Sequence, residues 1–446
     1  MKLADHPTVQ RYREKNDAGP RTVSPTVLEA DWLRQLCLQA GADDVGFVEI
    51  DQPALATDRP DIDRTFPHTK ALISVVCRMN REPIRSPARS IANVEFHRSG
   101  DHVNDVARKI VTTLERQGVR ALNPAMGFPM EMDRFPGKIW VVSHKLVAVA
   151  AGLGQMGIHR NVIHPKFGNF ILLGTILIDA EVSRYDRPLD YNPCLECKLC
   201  VAACPTGAIN ADGHFDFSAC YTHNYREFMG GFTNWVEQVV SSRTALEYRA
   251  KVSDPESASM WQSLSFGANY KAAYCLAVCP AGEDVIAPFL LDRKAFTAAI
   301  VKPLQDKLET VYVVPGSDAE TYVPHHFPRK RTKPAGNGLR PGSIEGFLDN
   351  LPLVFQREKA QNLEATYHFT FTGEEACTAT VVISKKMVRV HRGHIGTRNL
   401  HVIADSRTWL NFIRKEQSLV MALLHRKIRI HGSPRLLRAF GKCFPS

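Results

Sequence analysis

Residues 194–205 read CLECKLCVAACP, with Cys194, Cys197, Cys200 and Cys204 in a C-x2-C-x2-C-x3-C-P frame closed by Pro205. A C-x2-C turn lets two thiolates reach one metal centre. A third cysteine two residues further on favours an iron–sulfur cluster over zinc, whose ribbons more often show two separated C-x2-C pairs. A cysteine placed before proline in this run ligates the other cluster of a pair. That calls for further ligands downstream, and Cys220, Cys275 and Cys279 are available, the last in a second Cys-Pro step at Cys279–Pro280. The expected partition is Cys194, Cys197, Cys200 and Cys279 around a proximal 4Fe–4S cluster, with Cys204, Cys220 and Cys275 around a second. The second set is one thiolate short. A full repeat of the motif would place a cysteine at position 272, where Ala272 stands. The second cluster is therefore 3Fe–4S, or it takes a non-cysteine or more distant ligand. The remaining cysteines, Cys37, Cys77, Cys377 and Cys443, read as small buried hydrophobes.

These ligands need a scaffold, and 446 residues are enough for two or three domains with full cores. No apolar run reaches membrane-spanning length, and the polar start MKLADHPTVQRYREKNDAGPRT lacks a signal-peptide core, so a cytoplasmic protein is expected. Eleven cysteines in such a setting point to metal ligation rather than disulfides. The net charge of +10 is uneven: Lys385–Ser446 holds 14 Lys and Arg against Asp405 and Glu416. That basic stretch suits phosphates or an anionic surface, and equally a solvated face of a folded module. Because no stacking aromatics interleave with it, it gives little support to single-strand binding.

Patterning divides the chain into four parts. Residues 28–190 alternate amphipathic helices such as DVARKIVTTLERQGV with strand-like runs such as ALISVVCRM, which predicts an α/β cofactor-binding domain. Within it, GLGQMG places Gly152, Gly154 and Gly157 in a formal G-x-G-x-x-G. A helix precedes it and a strand follows, the reverse of a dinucleotide fingerprint, so a tight turn beside a cofactor or the clusters is the better reading. Residues 191–300 form the cluster module, with a mostly helical insert from Phe228 to Lys271. Residues 301–342, rich in proline and charge, read as a linker. Residues 343–446 change character: three period-two segments, ATYHFTFTG, CTATVVISK and KMVRVHRG, then helices DSRTWLNFIRKE and SLVMALLHR, predict a separate α+β domain.

Two resemblances follow from these blocks. From about residue 28 to 290, AGLGQMG, GNFILLGTILID, CLECKLCVAACPTGAI, Cys220 and AVCP resemble, in order and spacing, the epoxyqueuosine reductase and reductive dehalogenase superfamily with its ferredoxin-like two-cluster module. The resemblance implies cobalamin in the N-terminal domain, facing the proximal cluster, with electrons supplied by a ferredoxin or flavodoxin. It also nominates catalytic residues. FHRSGDHVNDVARKI puts Asp101 at the family's Asp place. The acidic proton donor of the epoxyqueuosine reductases falls, counting back from AGLG, on Lys138. His144 is a further candidate. From about 343 to 446, FLDNLPLVFQREKA, the meander and HRKIRIHGSPRLLRAF resemble the sterol carrier protein type 2 fold. That fold implies an apolar tunnel for acyl or sterol-like ligands, with Phe347, Phe355, Phe369, Phe371 and Trp409 as lining or plain core. Epoxyqueuosine reductases end instead in helical repeats suited to tRNA, so this chain is expected to act on a small apolar substrate, an epoxide or organohalide, with tRNA unlikely. The competing expectation is a cobalamin-free electron-transfer protein whose C-terminal domain binds a lipid or a partner.

Overall fold

The computed structural model describes residues 2–17, 25–132, 135 and 140–445. The N-terminal part is built on a four-stranded sheet in the order Asp44–Glu49, Ala71–Arg78, Ile171–Ile178, Ala121–Leu122. The two central strands, ALISVVCR and ILLGTILI, are rich in β-branched residues and buried almost throughout. Both faces are covered, because alternate side chains serve different cores. Ile73, Val75, Cys77, Leu172 and Ile176 meet helices Ala30–Ala40 and Arg89–Arg116, whereas Leu72, Val76, Leu173 and Leu177 meet helix His144–Ala150. Gly174 lets the long helix approach, since a Cβ there would lie 2.8 Å from Val103 Cγ1.

Helix and strand alternate as expected of a mixed α/β domain, but every pairing in this sheet is antiparallel. Strands 71–78 and 121–122 run the same way around helix 89–116, and 171–178 enters between them in the opposite direction. Element order in the sequence does not reveal such an insertion.

The middle of the chain is helical. Its insert folds as helices Gly230–Val240, Ala245–Lys251 and Asp254–Phe266, in line with the helical expectation. The expected linker at 301–342 is corrected: it folds as strand Thr310–Val313, helix Asp318–His326 and strand Arg331–Pro334, with the two strands paired in parallel. Its polar composition hides an apolar run, and Val311, Val313, Ala319 and Val323 are buried in the core that also holds the cysteine helices. Glu309 accepts a hydrogen bond from Tyr274 at 2.6 Å and pairs with the buried Lys330 at 2.7 Å, which fastens this segment to helix Tyr274–Val278.

The C-terminal part is a five-stranded sheet in the order Met387–Arg392, Cys377–Ser384, Ala365–Thr372, Leu400–Asp405, Ile428–Gly432, antiparallel except for 365–372 against 400–405. Asp405 caps helix Ser406–Ile413 by accepting from the Thr408 amide at 2.9 Å. Phe347, Phe369, Phe371 and Trp409 pack ring on ring, with centroids 5.6–6.2 Å apart, and Phe355 packs on Phe444 at 5.6 Å. Core packing accounts for all five rings. No helix among the described residues is long and apolar enough to cross a membrane.

Candidate functional site

Two short helices, Leu199–Ala203 and Tyr274–Val278, pack against each other and gather the seven cysteines. Cys194, Cys197, Cys200 and Cys279 line one small cavity with His159, Glu196 and Pro280. Burial pushes the Cys200 thiol up, and the thiols of Cys275, Cys279, Cys197 and Cys194 add to it. Cys279 is pushed up to about 12, by burial first and by Cys197, Cys194 and Cys275 next. The second group is knit in the same way. Cys220 is raised by burial, then by Cys204 and Cys275, and Cys275 is pushed up to about 11 by burial and Cys204. Cys204 Sγ lies 3.6 Å from Thr206 Oγ1. Thiols gathered this closely form a soft donor set, which the iron of a cluster would hold as thiolates. The residues therefore fit iron–sulfur clusters, in four-thiolate and three-thiolate sets. Among the described residues, no three His, Cys, Asp or Glu side chains converge as they would on a single metal ion.

The sets differ in position. Leu195 and Glu196, beside the four-thiolate set, are exposed, with Cys194 and Cys197 half-buried and Cys200 and Cys279 buried; in the other set Cys204 is buried and Cys220 and Cys275 are half-buried. The three-thiolate set lies toward Lys145. Lys145 Nζ donates to Arg160 O at 2.7 Å and to Asn161 Oδ1 at 3.0 Å, and Asn161 Nδ2 reaches Cys275 Sγ at 3.9 Å. Burial pulls the Lys145 pKa down, against the thiols of Cys275 and Cys220, which favour its charge. Lys145 nevertheless keeps exposed surface, as does Tyr225. His159 is buried, and desolvation, then Lys145, hold its pKa at about 4, so it is neutral. It accepts from the Asn161 amide at 3.1 Å and orders the turn that presents Asn161.

The expected site residues fare unevenly. All seven cysteines are brought together. Lys138 lies outside the described residues. His144 is buried, with Nδ1 2.8 Å from Thr175 Oγ1 and Nε2 3.0 Å from Ala125 O, and burial lowers its pKa. The His144 expectation is thus corrected to a packing role, because both ring nitrogens are engaged inside the domain. Asp101 is corrected likewise. It is exposed on helix 89–116, 3.7 Å from Arg98, as part of a solvated pair. The glycines serve close backbone approach rather than an open cofactor surface. A Cβ at Gly152, whose φ is +70°, would lie 2.3 Å from Arg187 O, and one at Gly154 would lie 2.5 Å from Ile163 O. Gly157 faces the His159 and Ile163 side chains. Sequence reasoning missed Lys145, His159, Asn161 and Tyr225. Their only signal was position, beside the glycine turn and the Cys220 helix.

Residues 188–210 match the family model of the 4Fe-4S binding domain, and residues 352–445 match that of the SCP-2 sterol transfer family. The chain is similar to epoxyqueuosine reductases. It is 34% identical to that of Cyclobacterium marinum over 118 residues, 24% of this chain and 38% of the relative. It is 28% identical to that of Gloeobacter violaceus over 166 residues, 37% of this chain and 49% of the relative. The chain thus spans between about a fifth and a half of the length of the curated relatives it matches. Among solved structures, an epoxyqueuosine reductase with an epoxyqueuosine-modified tRNA-Tyr stem loop overlaps with a TM-score of 0.33 at 16% identity, over 44% of this chain and 57% of that one. A catabolic reductive dehalogenase overlaps with a TM-score of 0.37 at 16% identity, over 61% and 34%. These overlaps are too loose to carry an argument. The relatives' name, epoxyqueuosine reductase, overturns one expectation, that tRNA is an unlikely partner and the substrate small and apolar. The change of C-terminal domain weighed too heavily in that reading.

Proposed function

We propose that this chain is an iron–sulfur oxidoreductase of the epoxyqueuosine reductase type, acting on an epoxide carried by tRNA. The observation that carries the reading is the packing of two thiolate sets against each other, the second of them beside Lys145. Cys194, Cys197, Cys200 and Cys279 would hold the outer cluster, where an electron donor can dock, and Cys204, Cys220 and Cys275 the inner one. That reverses the expected order, in which the Cys194 set is proximal to the cofactor, because Cys275 and Cys220 are the thiols beside Lys145. Bound clusters would supply single-electron relay, and cobalamin beside Lys145 would supply the strongly reducing metal. Cobalamin fits on one observation: Lys145 and Tyr225 keep open surface beside Cys275 and Cys220. Reducing an epoxide takes electrons and also protons at the ring oxygen. Lys145 would be the proton source, its pKa pulled down by burial and its Nζ aimed by Arg160 O and Asn161. Neutral His159 adds no second cation beside it. The basic C-terminal stretch supplies charge for RNA phosphates.

The test is anaerobic reconstitution with iron, sulfide and cobalamin, followed by an epoxyqueuosine-bearing tRNA stem loop. Retained corrin absorbance, loss of the epoxide, and binding that weakens with salt as several phosphate contacts require would support the reading. A stem loop that fails to bind at low salt, or corrin that washes through, would overturn it.

A further inference from the structure

The two cysteine helices sit in the same local frame. CKLCVAACP at 197–205 and AAYCLAVCP at 272–280 align position by position. Lys198, before the first helix, has φ 62° and ψ 11°, and Ala273, before the second, has φ 54° and ψ 30°. Both helices run five residues, and both end in a cysteine before proline, Cys204 at φ −67°, ψ 114° and Cys279 at φ −67°, ψ 120°. A non-glycine residue in the left-handed region costs on the order of 1 kcal/mol, so its recurrence shows that the same cradle is built twice. In that frame Cys200 corresponds to Cys275, Cys204 to Cys279, and the ligand position of Cys197 to Ala272.

Position 272 is held where a ligand would be. The Ala272 amide donates to Asn224 Oδ1 at 3.0 Å, and the Lys271 amide to Asn224 O at 3.2 Å. Asn224 lies four residues after Cys220 on helix Phe217–Asn224, hence on the same face. The preceding segment is pinned as well. Lys271 pairs with the buried Glu227, which also accepts from Ser259, Ser263 and Asn269 at 2.6–2.8 Å. Ala272 itself is 7% exposed. No other thiol is at hand to substitute. Cys37 and Cys77 are built into the N-terminal sheet and its covering helix, and Cys377 and Cys443 lie in the C-terminal part.

We infer that the inner cluster, which rests on the iron–sulfur reading above, is held by Cys204, Cys220 and Cys275 alone, and that its iron at the Ala272 corner has no protein thiolate and is labile. Without that thiolate the cluster carries less negative charge. Its potential therefore lies above that of the same cluster with four thiolates, and transfer from the outer set inward runs downhill.

The experiment is iron counting and EPR on the full chain, reconstituted anaerobically and then oxidised mildly with ferricyanide. Ferricyanide takes one electron from a 4Fe–4S centre in its 2+ state. The labile iron leaves as Fe2+, a 3Fe–4S centre in its 1+ state remains, and ferrocyanide forms. The wild type is expected to release one iron per chain and to show the paramagnetic signal of an oxidised 3Fe–4S centre. Ala272→Cys is expected to keep that iron and stay silent, and Ala272→Ser to behave as the wild type. Cys197→Ala, which makes the matching vacancy in the outer cradle, is expected to double the iron released and needs no new side chain to fit at 272. A wild type that holds all its iron and matches Ala272→Cys overturns this inference alone. A chain that takes up no iron overturns the iron–sulfur reading and this inference with it.

Discussion

The cysteine-bearing region and the C-terminal sheet bury different things. The first encloses thiols together with charged and polar groups, among them Glu227, Lys330, His159 and His223. Each such group costs free energy unless it finds a partner, and the region is accordingly laced with short polar contacts. The C-terminal centre is mainly ring on ring, where burial itself stabilises and few partners are required. The difference separates a region organised to hold charge in place from one organised to hold itself together. A substitution in the first should alter chemistry, and one in the second should alter stability.

The largest effect that sharpens this contrast is expected from Cys275→Ala. It removes one of three inner thiolates, so the inner cluster's iron and all turnover should be lost while far-UV circular dichroism stays native. Iron retained at the wild-type level would break the contrast. Lys145→Ala should leave both clusters spectroscopically intact and lower turnover by roughly 10²–10⁴-fold, the usual worth of a placed proton donor. Its pH–rate profile should lose the limb set by that group, and an unchanged profile would remove Lys145 from the chemistry. Trp409→Ala tests the other side. The side chain is buried against Phe347, Phe369, Phe371 and Phe412, and its truncation should cost about 3–5 kcal/mol of C-terminal stability in denaturant titrations without moving the cluster signals. A shift of the cluster spectra would show the two regions to be coupled.

The smallest effect is in pH. Burial alone would raise the Glu256 carboxyl, but Lys333 and Tyr312, each at 2.6 Å, outweigh it and hold the pKa at about 2, against 4.5 for the unperturbed group. The folded pKa is depressed, so this contribution is fully present above pH 4.5 and is lost as pH falls through about 2. Glu256→Gln should therefore cost about 1–3 kcal/mol at neutral pH and progressively less in acid. A constant difference between the two proteins across that range would refute the assignment.

Much of the site was legible in the sequence because ligand spacing is a local property. C-x2-C-x2-C-x3-C-P is readable wherever it occurs, and the missing partner at 272 is readable by the same rule. The mixed α/β character of the first part and the meander of the last followed from hydrophobic period, as did the helical insert. The residues that were not legible fail for a common reason. Lys145 and Asn161 matter through where the turn after the glycines carries them, and His144 was discounted only once both its ring nitrogens were seen engaged. Residues 301–342 looked like a linker because their surface is polar and proline-rich, although the valines between face a core.

By itself the sequence determined the ligand inventory, the cradle motif and its vacancy, and the period of each element, all of which depend on neighbours a few residues apart. Only the tertiary structure decided that the incomplete set lies beside Lys145, that residues 301–342 join the core of the cysteine helices, and that the central strand 171–178 runs against its neighbours. Those outcomes depend on which helices pack together and which strand fills a gap, and side chains distant in the chain set both.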